Sequence, residues 1–205
     1  MKNKNSEEGE VVTAKPLEKR RLILKRALAL FAKKGYEVTT VPEIATAADV
    51  GVGTIYRYFK SKNAIFNELY QSIITTLTLA LRKYYPVTGT TKMRFDAIYK
   101  TGIRLIRHHV QEVYFINNHV FNDALDQTSV TAREDLAQFV RQFILDGQAD
   151  GTFKKSDPDV LISILYGSLI FTIEFLLSTR QLKNVDLEKI FAELQESCWD
   201  AFAKK

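Results

Sequence analysis

Apolar residues recur at helical spacing along almost the whole chain. Ile23, Ala27, Leu30 and Phe31 stand at i, i+4, i+7 and i+8, one face of an α-helix. Pro16 can open this helix, Glu18 near its start suits the positive end of the helix dipole, and Gly35 stops it. Thr40, followed three residues later by Glu43, forms a capping box, with Pro42 in the first turn of a second, short helix. Its apolar face is Ile44, Ala45 and Ala48, and Asp49 and Gly51 break it, with Val50 turned inward between them. A third short helix runs from Val52 to Tyr58. Ser61 caps a fourth, in which Ile65, Phe66, Leu69, Ile73, Leu77 and Leu81 keep the spacing up to Pro86.

Beyond Pro86 the same test predicts helices near 92–109, 112–124, 130–149, 158–179 and 186–203. Residues 1–15 are polar and mixed in charge, and read as a disordered tail. The expected fold is all-α, with about nine helices. Scarce glycine (9) and proline (4) agree, because a turn-rich β protein needs more of both.

Val160 to Leu177 is nearly all apolar, about the minimum length of a membrane span. Glu174 interrupts it, and a carboxylate inside a span costs several kcal/mol. Asp157 and Asp159 stand on its N-terminal side where Lys or Arg would flank a span. A helix buried on one side by its own chain and on the other by a second subunit is apolar all round for the same reason. No membrane partner is expected, and a homodimer is.

The net charge of +5 is unevenly spread. Residues 18–62 hold ten Lys/Arg against four acids, whereas residues 63–205 hold sixteen against seventeen. A localised basic excess is the footprint of a surface that meets phosphates, although a solvated helix face gives the same count. One cysteine, Cys198, and no apolar leader point to a reducing cytoplasm. No phosphate-cradling glycine loop, nucleophile elbow or zinc-protease motif occurs, no catalytic residue stands out, and no cofactor is implied.

Two short helices joined by a tight turn inside a basic segment are what a helix-turn-helix needs, and Gly51-Val52-Gly53-Thr54 is small enough to enter a major groove. The residue string is more specific. Phe31, Gly35, Tyr36, Thr39, Thr40, Val41, Ile44, Ala45, Ala48, Val50, Gly53, Thr54, Tyr56, Tyr58, Phe59, Ser61 and Lys62 make residues 20–69 resemble the DNA-binding region of the TetR family. Asp49 stands where that pattern has glycine, and Gly51 where it has a serine or threonine cap. Val52 replaces a residue that is commonly polar.

The resemblance implies a helix-turn-helix domain over 16–62 and an effector-binding and dimerisation domain over 63–205. It implies that a dimer binds a pseudo-palindromic double-stranded operator, as a repressor rather than an activator. Thr40, Tyr56, Tyr58 and Lys62 would hold phosphates, and Val52, Gly53, Thr54 and Arg57 would face bases. The last two helices would pair with their symmetry mates, with Ser163 and Gly167 allowing close approach.

A small effector is also implied. Polar residues on otherwise apolar helices, with the aromatics around them, are the pocket candidates: Tyr99, His109, Phe115, Asn117, Asn118, His119, Phe171 and Glu174. Such a pocket is mainly apolar and aromatic and suits a hydrophobic molecule. A metal site from His108, His109 and His119 is disfavoured, because adjacent histidines on a helix point to different faces. An enzyme, or a helical adaptor that keeps the helix-turn-helix as scaffold, are the competing functions.

Overall fold

The computed structural model describes residues 7–178 and 186–204. Among them the secondary structure is nine α-helices and one isolated antiparallel bridge, between Phe153 and Ala203. The helices are α1 (Glu7–Lys34), α2 (Val41–Ala47), α3 (Val52–Tyr58), α4 (Lys62–Tyr84), α5 (Thr91–His108), α6 (Val110–His119), α7 (Gln127–Ala149), α8 (Pro158–Ser178) and α9 (Leu187–Phe202). No helix of the described residues is long and apolar enough to cross a membrane.

The boundaries follow the apolar periods closely, with two differences. α1 begins at Glu7 and carries Pro16 inside it, where the sequence reading has a tail through residue 15. α6 ends at His119, where the reading near 112–124 runs on. Backbone hydrogen bonds from Asn122 to His119 and from Leu125 to Asn122 turn the chain there instead.

The chain divides into two compact units, one holding residues up to Ile73 together with Gln111–Val130, the other Ile74–Val110 with the rest from Thr131. Both α4 and α7 run from one unit into the other. The first unit is built on aromatic rings at helical spacing. Phe66 of α4 meets Tyr36 at 4.4 Å, Phe115 of α6 at 5.4 Å and Phe31 of α1 at 5.9 Å between centroids. Phe31, Phe66 and Phe115 are all buried. Each such ring stabilises the unit by about 1.5–3 kcal/mol through burial.

One buried polar residue fastens α4 to the segment before α7. Asn67 donates to the Ala124 carbonyl (2.8 Å) and accepts from the Asp126 amide (2.8 Å) and the Ser129 hydroxyl (2.7 Å). Its amide is thereby satisfied on both sides, which is the condition for burying it without penalty.

The second unit has its own aromatic core. Phe95 of α5 packs against Trp199 (5.3 Å) and Phe202 (5.6 Å) of α9, and Phe153 against Phe143 and Phe202. Gly147 on α7 is required by this packing. A Cβ there would fall 2.3 Å from the Phe153 ring, closer than atoms can approach. Cys198 is buried with its sulfur 3.2 Å from the Ser168 hydroxyl, a packing residue as its sequence context implies.

Candidate nucleic-acid interface

The site begins with the local chemistry that holds α2 and α3 in place. The Thr40 side chain accepts from the Glu43 amide (3.4 Å), and the Thr40 amide donates to the Glu43 carboxylate (2.8 Å), which closes the capping box. Lys34, at the end of α1, adds an ion pair to the same carboxylate. That ammonium first, and Thr40 second, hold the Glu43 carboxyl down at about 2 from its ordinary value of 4.5.

The turn between the helices is a Schellman motif. The Val50 amide donates to the Ala45 carbonyl (3.0 Å), and the Asp49 amide to the Thr46 carbonyl (3.1 Å). Asp49 takes φ +53 to make this possible, the left-handed conformation that glycine occupies most easily. Gly51 then caps α3 through its carbonyl, which accepts from Thr54 (2.8 Å), and supplies no side-chain bond. Ile55 is the buried anchor of α3, fully withdrawn from solvent.

With Ile55 pointing inward, helical geometry turns Val52, Gly53, Tyr56 and Arg57 outward. All four are exposed, Tyr56 to 55%. Among the described residues Arg57 makes no ion pair or hydrogen bond, so its guanidinium is available. Thr54 and Tyr58 are half-buried at the edge of this surface, and Thr40 is exposed at the N-terminus of α2. No atom lies within 4 Å of where a Cβ on Gly51 or Gly53 would stand, so neither glycine is demanded by packing within the chain. A major groove requires such smoothness where a helix N-terminus approaches base edges.

Lys62 reaches back to the loop before α2. Its ammonium donates to the carbonyls of Tyr36 (2.9 Å) and Glu37 (3.0 Å) and lies 4.3 Å from the centre of the Tyr36 ring. Two of its three donors are thus committed to the loop before α2, and one remains for an anion. Arg20 braces the end of α3, a contact that the sequence reading does not contain. It donates to the Tyr58 carbonyl at the end of α3 (3.0 Å), pairs with Glu68 of α4 and lies 4.6 Å over the Phe59 ring. Arg20 and Glu68 are 48 residues apart, so no local spacing announces the pair.

The pocket candidates fall in both units. Phe115 and His119 belong to the first unit and fill its core: the His119 ring nitrogen Nδ1 lies 2.8 Å from the Phe115 carbonyl of its own helix, and the ring packs on Phe66 at 5.2 Å. Asn117 is half-buried and Asn118 exposed in that unit. Tyr99, His109, Phe171 and Glu174 belong to the second. Tyr99 is buried in its core, His109 and Glu174 are half-buried, and Phe171 is 70% exposed. Among the described residues no group of three His, Cys, Asp or Glu side chains stands close enough to hold a metal.

A short capped helix, a left-handed turn and a second helix with a cationic, glycine-smoothed face define a helix-turn-helix DNA-binding protein. Residues 23–69 match the family described as bacterial regulatory proteins, tetR family, and residues 70–204 match the tetracyclin repressor-like C-terminal domain. The chain belongs to the TetR family of transcriptional regulators, which are DNA-binding proteins and not enzymes. It is similar to the HTH-type transcriptional repressor KstR2 of Mycolicibacterium smegmatis, 28% identical over 166 residues that cover 75% of each chain. Two solved structures share the fold. The ketosteroid transcriptional regulator KstR2 of Mycobacterium tuberculosis superposes with a TM-score of 0.74 at 18% identity, over 91% of this chain and 95% of that one. The fatty acid degradation regulator FadR of Bacillus halodurans gives 0.71 at 16% identity, over 88% and 94%. Family membership sets aside the adaptor and enzyme alternatives.

Proposed function

We propose that this protein is a cytoplasmic, dimeric repressor that binds a pseudo-palindromic operator and leaves it when a small apolar molecule binds. The observation that carries the DNA reading is the surface of α3, where Val52, Gly53 and Arg57 stand outward with no partner among the described residues. In this reading Arg57 and Thr54 contact base edges, Val52 meets a thymine methyl, and Gly53 admits the groove wall. Thr40, Tyr56 and Tyr58 hold phosphates. Lys62 holds the loop before α2 with two donors and offers a phosphate the third.

The dimer is proposed through α8. Val160, Ser163, Gly167 and Phe171 recur at i, i+3, i+7 and i+11 and so share one stripe. Val160, Ser163 and Phe171 are exposed, and nothing within the chain lies within 4 Å of a Cβ on Gly167. A second copy of α8 supplies what that stripe lacks. Such a two-fold dimer presents its two α3 helices to half-sites about 34–36 Å apart.

The effector is assigned to the second unit, around Tyr99. Its hydroxyl is buried beside Ser168 and Cys198, and among the described residues it makes no hydrogen bond of normal geometry. Burial pushes this phenol above its ordinary range. A buried orphan hydroxyl costs about 1–3 kcal/mol, which a polar group on an otherwise apolar ligand would recover. Ketosteroid and fatty acid are the words attached to two proteins of the same fold, and both molecules have that character. Of the eight pocket candidates Tyr99 is retained as the leading one, with Glu174 and His109 as secondary candidates in the same unit. The domain division at residue 62 is retained as the functional boundary.

The test is titration of operator DNA, selected from random duplexes, at several salt concentrations. A symmetric consensus with a salt slope of several units supports the reading. Sequence-independent binding by a stable monomer would sink it. For the effector, steroids and fatty acids are titrated against the operator complex of wild type and Tyr99→Phe. Release of the wild type at lower ligand concentration than the variant is the expected result.

A further inference from the structure

The second unit carries a groove that neither the operator nor the Tyr99 region uses. It is an open groove between α5 and α9 with about 430 Å³ of space, within the range of small-molecule sites. Its floor is apolar, made by Ile103, Ala192 and the buried Phe191. One wall is cationic: Lys100, Arg104 and Arg107 stand at i, i+4 and i+7 on α5, a stack about 10 Å long at 1.5 Å per residue.

Like charges at i, i+4 oppose helix formation by a few tenths of a kcal/mol, so such a stack needs compensation. Arg107 has it twice over. It lies in the last turn of α5, where the helix dipole favours a cation, and it pairs with Glu188 of α9. Lys100 and Arg104 lie further back than the dipole reaches. Arg104 rests over the Tyr84 ring at 4.3 Å, and neither residue has a carboxylate partner among the described residues. Glu188 is the single carboxylate among the groove's lining residues, and Arg107 already holds it.

We propose that this groove binds a small organic anion of the phosphate or carboxylate class that carries a short apolar tail. The anionic head sits between Lys100 and Arg104, one helical turn apart on the same wall, and the tail lies along Ile103, Ala192 and Phe191. A nucleic-acid backbone is a poorer fit, because its repeating phosphates would leave the apolar floor covered by charge. The site does not depend on operator binding, and its occupancy is measured without DNA.

The experiment is calorimetric titration of the full chain with octyl phosphate and octanoate, below their micellar concentrations, with octanol and inorganic phosphate as matched controls. At least one of the two anions is expected to bind tenfold or more tightly than either control, and to weaken as salt rises. Which of them binds assigns the head group to phosphate or carboxylate. The double variant Lys100→Gln, Arg104→Gln, at two exposed positions, is expected to lose at least tenfold. Glu188→Gln, which frees Arg107, is expected to tighten binding several-fold and keeps the test open should the double variant fold poorly. Octanol or inorganic phosphate binding as tightly as the tailed anions overturns the proposal, and so does unchanged affinity in both variants.

Discussion

α3 and α8 each hold apolar side chains out to solvent, but they do so with opposite chemistry. α3 is seven residues long, and its outward face mixes Val52 and Tyr56 with a cation, Arg57, and a glycine that nothing in the chain requires. α8 is 21 residues long, and Val160, Ser163, Gly167 and Phe171 on its outward stripe carry no charge, Glu174 being the one acid further along it. A surface that meets nucleic acid must supply cations for phosphates and polar groups for base edges. One that meets another copy of itself gains most from apolar area and close backbone approach. Exposure alone therefore does not say what a helix is for. The residue types between the exposed apolar positions do.

The sharpest way to break this contrast is to place charge on each face in turn. Val160→Asp with Phe171→Asp is expected to convert a dimer of twice the 23.5 kDa chain mass into a monomer. Operator affinity should then fall by about 100-fold or more, since bivalent engagement is lost. Light scattering and operator titration read the two effects. A charged α8 that leaves the dimer intact would move the interface elsewhere.

Arg57→Ala comes next. It should shift the preference among operator variants by about 1–3 kcal/mol while leaving the thermal midpoint unchanged. Lys62→Ala should differ in kind, lowering stability by about 1 kcal/mol through its two lost carbonyl bonds. Equal weakening of every DNA sequence by Arg57→Ala would demote that residue to a phosphate contact.

Gly53→Ala separates folding from recognition on a single atom. A Cβ there meets open space, so helix propensity should raise the stability of the free protein by up to about 1 kcal/mol. Operator affinity should fall at the same time, and a variant that gains in both would show that the groove does not approach this backbone.

The smallest effect concerns Glu43. Because its carboxyl titrates near 2 in the folded protein and near 4.5 in the unfolded chain, the stability it adds is complete above 4.5 and disappears as pH falls through 2. NMR titration should show the depressed value, and Lys34→Ala should raise it. The corresponding carboxylate of Asp150, lowered first by its bond to Thr91, should titrate independently of Lys34.

Local signals were legible wherever the physics is local. The Thr40–Glu43 capping box is made by residues three apart, and the structure shows both of its hydrogen bonds. Asp49 in the left-handed turn and Gly51 as a cap without a side-chain bond follow from the conformations those residue types tolerate. Helix number and order follow from the apolar period, because burial of one face is what a helix in this chain is for.

What the sequence could not disclose is which buried face meets which. Phe115 and His119 stand on α6 as polar-flanked aromatics, the same pattern a ligand pocket would show, and only packing against Phe31 and Phe66 makes them core. Lys62 occupies a phosphate-binding position in the string, yet two of its donors are taken by carbonyls 25 and 26 residues earlier. The same holds for Arg20 with Glu68 and Tyr58, and for the cations of α5 brought beside Phe191 of α9. Periodicity determines the direction a side chain faces from its own helix axis. The partner it finds there is decided by chain closure over tens of residues, and no pattern within one helix encodes that.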